Sequence, residues 1–112
     1  MTDPPKAVKR LVREWAGVAH DRELERALLE LRTQFDRWQR GEITGADLNN
    51  LIHQYHQGPS REIWKRYATG HLEPAIGSAV AAGILRREEL PEELLRHVAG
   101  LIDLFEAGES IS

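Results

Sequence analysis

Apolar residues recur at three- and four-residue spacing along nearly the whole chain, and no stretch alternates with the period of two that a half-buried strand requires. That spacing gathers the apolar side chains on one face of a helix, so the sequence predicts an all-α fold. With 112 residues, 41% of them apolar and 29% charged, the chain is long enough to bury one hydrophobic core and too short for two. The expectation is a single-domain bundle of about five to six amphipathic helices over residues 1–112, with short flexible ends at 1–4 and 108–112.

Local punctuation divides the pattern. Val8, Leu11, Val12, Trp15, Val18 and Ala19 form one stripe, predicting a helix from Pro4 to Ala19. Leu24, Leu28, Leu31, Phe35 and Trp38 form a second stripe whose phase lies far around the helix from the first. One straight helix does not bury both against one neighbour, so a break is expected between Gly17 and Asp21. Asp21 would cap a second helix running to about Arg40, with Glu23 in its favourable first turn.

Gly41 can adopt the left-handed conformation that stops a helix, and Thr44 followed by Asp47 approximates a capping box for the next. Leu48, Leu51, Ile52 and Tyr55 are the stripe of that third helix, and Gly58-Pro59 separates it from a short fourth, about Pro59 to Ala68. Small residues crowd the segment from Ala75 to Gly83, which predicts a fifth helix, starting near Pro74, that packs closely in the core. Pro91, Glu92 and Glu93 mark the start of a sixth, with Leu94, Val98, Leu101, Ile102 and Phe105 as its stripe and Gly108 as its end.

Asp36 to Leu48 resembles the skeleton of an EF-hand loop: an acid first, Gly41 sixth, Ile43 eighth and Asp47 twelfth. Calcium also needs oxygen donors at the third and fifth positions, where this chain has Trp38 and the cationic Arg40. The same residues are explained by a helix that stops at glycine, an isoleucine turned inward and a capped restart.

The sequence excludes several function classes. Fifteen Lys and Arg against eighteen Asp and Glu give a net charge of -3, which argues against nucleic acid and anionic membranes as partners. No cysteine is present, so disulfides, thiol catalysis and cysteine-held metals are out. Phosphate-binding glycine loops, GxSxG and HExxH are absent, and no cofactor is implied. The N-terminal residues lack a secretory pattern and no apolar run reaches the roughly 20 residues that span a bilayer, which places the protein in the cytoplasm.

The chemistry concentrates between His53 and Arg66. His53, His56, Arg61, Trp64 and Lys65 surround one interhelical turn and combine cationic donors with an aromatic surface, the mixture enriched at binding hot spots. They are the expected binding residues. The alternative for Trp64 is a ring packed into the core. His53 and His56, three apart, share a helix face, but a metal would need a third ligand from His20, His71, His97 or a carboxylate. A helix-turn-helix around Gly58 would present Arg61, Lys65 and Arg66 to DNA, against the charge balance.

The function expected is therefore non-enzymatic: a small helical protein-interaction module that self-associates as a homodimer or larger. Leu29 lies off the stripe of its helix, and the tryptophans and the broad apolar face of the last helix exceed what one small core uses. The rival readings are a ligand- or metal-binding domain using the histidines and a helix-turn-helix-like nucleic-acid binder.

Overall fold

A computed structural model describes the backbone of residues 4–111 and the side chains of residues 4–108. The chain is all-α, with five α-helices among the described residues: α1 (Lys6–Gln39), α2 (Gly45–Gln57), α3 (Pro59–Tyr67), α4 (Glu73–Ala81) and α5 (Glu92–Ile111). A 3-10 turn, Arg87–Glu89, lies between α4 and α5, and no strand occurs among the described residues. The expectations for residues 1–3 and 112 lie outside the described residues.

The core fills the space between the first half of α1, α4 and α5. Val8, Val12, Ala16 and Ala19 of α1 meet Ile76, Ala79 and Val80 of α4 and Leu94, Val98 and Ile102 of α5, with Leu85 and Leu90 closing the cluster from the connecting segment. The small-residue segment packs as its composition predicts. A Cβ on Gly77 would lie 3.0 Å from Leu101 Cβ and 3.2 Å from Phe105 Cδ2, so glycine is what lets α4 and α5 approach this closely. Gly83, at φ +78°, then turns the chain out of α4.

The expected break between Gly17 and Asp21 does not occur. Residues Lys6–Gln39 form one helix of 34 residues, roughly 50 Å long at 1.5 Å per residue. Gly17 stays helical, because a helical glycine costs only about 1 kcal/mol and the second stripe does not have to share the neighbours that bury the first. The first stripe faces α4 and α5; the second is covered only in part, by α2 and α3, whose own buried residues are Leu48 and Ile63. Asp21 is therefore a mid-helix residue and not a cap. Glu23 belongs to the buried stripe, four residues beyond Ala19, and not to a first turn. Gly108 likewise does not end the last helix, which continues to Ile111.

Other signals act as expected. Gly41 takes φ +77°, and Thr44 caps α2 with its hydroxyl accepting from Asp47 N–H while Asp47 accepts from Thr44 N–H. Hydrogen bonding from Thr44 to the carboxyl, from the backbone N–H foremost and the side chain second, holds Asp47 below its ordinary range.

The result is an elongated molecule of 57 × 30 × 21 Å in which the second half of α1, with α2 and α3, projects from the core as an arm. Between Leu24 and Gln39 no residue is buried. Leu28, Leu29, Phe35 and Trp38 on α1, Ile52 on α2 and Trp64 on α3 are exposed. Among the described residues no helix is long and apolar enough to cross a membrane.

Candidate binding surface at the α2–α3 turn

A single residue separates α2 from α3. Gly58 donates its N–H to Gln54 O at 2.8 Å and accepts from Glu62 N–H at 2.9 Å, closing one helix and opening the next. Pro59 follows in the first turn of α3, where its missing N–H has no partner to lose.

This tight turn brings the end of α2 against the start of α3 and leaves an open groove of about 490 Å³ lined by His56, Gln57, Ser60, Arg61 and Trp64. Ser60 and Arg61 stand four and three residues before Trp64 on α3, so the three share a face, and Gln57 ends α2 beside them. Of the residues expected from sequence, His56, Arg61 and Trp64 are gathered here. His53 and Lys65 are exposed but do not line the groove. Lys65 leans toward Glu62, with Nζ 3.9 Å from the carboxylate.

Trp64 is 64% exposed, and its neighbour Ile63, at 6%, occupies the buried position of α3. The core alternative for the tryptophan is thereby corrected: in a nine-residue helix one step of 100° carries the side chain from the α1 interface to solvent. Arg61 makes no ion pair among the described residues. The groove thus combines an indole face, a guanidinium, an imidazole and short polar groups, which is the chemistry of contact recognition.

The histidines do not converge. His20 lies on α1, His71 between α3 and α4, and His97 on α5 with Nε2 3.4 Å from Glu73. Among the described residues no three side chains of metal-ligating type come together.

A second cluster, missed in the sequence reading, pins α3 to α1. Arg66 donates from Nη1 to Oε1 of Glu23, a carboxylate only 9% exposed whose buried Oε2 has no hydrogen-bond partner of normal geometry among the described residues. Burial first, and the adjoining Glu23 carboxylate second, push the Tyr67 hydroxyl above its ordinary range. The Tyr67 ring stacks on His20 with centroids 4.9 Å apart and planes 17° from parallel. Of this cluster, the sequence carries one signal: Glu23 is an acid at a stripe position.

Arg66 is therefore turned inward, and with Lys65 beside Glu62 two of the three cations expected on a DNA-reading helix are engaged with carboxylates. No protein-family model, curated protein or solved structure matches this chain.

Proposed function

We propose that this chain is a non-enzymatic, cytoplasmic protein-interaction module that self-associates. The single observation carrying this reading is the arm: from Leu24 to Gln39 no residue of α1 is buried, while Leu28 and Leu29 are 48% and 59% exposed. A helix that leaves the neighbouring Leu28 and Leu29 open to water, with Phe35 and Trp38 also exposed further along it, presents apolar surface of the kind that marks interaction sites. The compact half of the molecule, α4 and α5 with the first half of α1, acts as its scaffold. The groove at the α2–α3 turn extends the same arm with Trp64 and Arg61, residue types enriched among binding hot spots. The cytoplasmic placement rests on the sequence alone.

Sedimentation equilibrium or light scattering across a concentration series tests the reading. An assembly larger than one chain is expected at high micromolar concentration. A monomer mass throughout would overturn self-association.

A further inference from the structure

The outer face of α1 carries a pattern that is complementary in charge to its own reverse. A shallow groove of about 410 Å³ there is lined by Glu25, Leu28, Leu29 and Arg32. At 100° per residue, Leu28 and Leu29 straddle one line along the helix, and Glu25 and Arg32 return to within about 10° of that line on either side of them. The face points away from the molecule, since Glu23, Ala27 and Gln34, which are less exposed, lie on the opposite side of the helix.

Resting on the self-association proposed above, we infer that two copies of this chain meet antiparallel across this face, with the two-fold axis between Leu28 and Leu29. The operation exchanges Leu28 with Leu29 and Glu25 with Arg32. Each leucine then packs on a leucine of the second copy, and two Glu25–Arg32 ion pairs flank them, as an isologous interface requires. The same pattern discriminates against the parallel arrangement, in which Glu25 would face Glu25 and Arg32 would face Arg32. Neither residue has an intramolecular ion pair among the described residues that would compete.

The next residues outward on this face set the crossing. Asp21 and Asp36 are exchanged by the same axis and lie roughly 11 Å along the helix from it, so they oppose each other as like charges. Helices crossing at about 50° have diverged there, and at physiological salt that separation exceeds the screening length of about 8 Å. The two aspartates therefore disfavour a long side-by-side pairing and leave the central four-residue contact as the point of closest approach.

The test is sedimentation equilibrium on the full chain and three variants, with circular dichroism confirming that each keeps its helix content. Glu25→Arg alone and Arg32→Glu alone replace two attractions by two repulsions, and each is expected to weaken the dimer by about tenfold. The double variant Glu25→Arg/Arg32→Glu restores both pairs and is expected to return the dissociation constant to within about threefold of the starting chain. An equimolar mixture of the two single variants should associate more tightly than either alone. A dimer that ignores both reversals, or that is not rescued by the double variant, overturns this interface while leaving self-association standing. A chain that is monomeric throughout overturns both.

Discussion

Arg22 clasps Glu89 across 67 residues of sequence, with Nη1 donating to Oε2 and Nη2 to Oε1, each at 2.8 Å. The same guanidinium donates to Ile84 O at 3.0 Å, and one helical turn on, Arg26 reaches Gly83 O at 3.1 Å. The middle of α1 is thereby fastened to the segment that links α4 to α5. Glu89 also accepts the backbone N–H of Arg86 at 2.8 Å, capping its own 3-10 turn.

That geometry makes stability pH-dependent in a definite window. The Arg22 guanidinium foremost, then the Arg86 N–H, hold the Glu89 carboxyl at about 2, below its ordinary 4.5. A carboxyl whose pKa is depressed by folding contributes stability that is fully present above the unfolded value and is lost as pH falls through the folded one. The contribution of Glu89 should therefore persist at neutral pH and disappear between pH 4.5 and about 2. Urea unfolding at a series of pH values should show an extra decline across that window in the starting chain, absent from Glu89→Gln. Equal slopes in the two proteins would mean the clasp does not form.

One substitution at two glycines should have opposite effects. Gly17 is exposed in the middle of α1, with nothing within 4 Å of where a Cβ would sit, so Gly17→Ala should stabilise by about 0.5–1 kcal/mol through reduced backbone entropy. At Gly77 the added Cβ meets Leu101 Cβ at 3.0 Å and the Leu101 carbonyl carbon at 3.2 Å, atoms that cannot swing aside. Gly77→Ala should destabilise by about 1–3 kcal/mol as α4 and α5 are forced apart. Denaturation midpoints check both. A destabilising Gly17→Ala would show that α1 is interrupted after all.

The difference between those glycines also marks where sequence is informative. Thr44, Asp47 and Gly41 announce their roles because capping and left-handed turns are settled by residues a few positions apart. The crowding of small residues from Ala75 to Gly83 similarly announces close packing. The continuity of α1 was not legible. A change of stripe phase reads as a break when one neighbour is assumed, and what permits it here is that α4 and α5 cover one stripe while α2 and α3 cover part of the other. The Glu23–Arg66 and Arg22–Glu89 pairs were equally hidden, since both join residues brought together only by the fold. At the candidate surface, residue types identified the turn, whereas the separation of His56, Arg61 and Trp64 from His53 and Lys65 depends on how α3 meets α2.

The Glu23–Arg66 pair should show the asymmetry of a buried charge. Arg66→Met leaves a carboxylate that is only 9% exposed without its cation, and should destabilise by about 1–3 kcal/mol. The effect falls short of the roughly 3–5 kcal/mol of a fully buried pair because Arg66 itself is half exposed. Adding Glu23→Leu removes the orphaned charge, so the double variant should be more stable than Arg66→Met alone. Chemical denaturation of the three proteins decides it, and a double variant no better than the single one would show that Glu23 is well solvated.

Adjacent residues of α3 should separate stability from surface chemistry. Ile63 is the buried residue of α3, so Ile63→Ala removes packed methylenes and should destabilise by about 2–4 kcal/mol. Trp64, one position on, is 64% exposed and lines the groove, so Trp64→Ala should change stability by less than about 1 kcal/mol despite deleting a far larger side chain. Fluorescence supplies an independent readout: an aqueous quencher should reach the indole of Trp64 in the folded chain, and the quenched fraction should fall in Trp64→Ala. Thermal or urea unfolding completes the comparison. If Trp64→Ala proves as damaging as Ile63→Ala, the ring is packed rather than presented, and the α2–α3 groove loses the aromatic surface on which its role as a contact site depends.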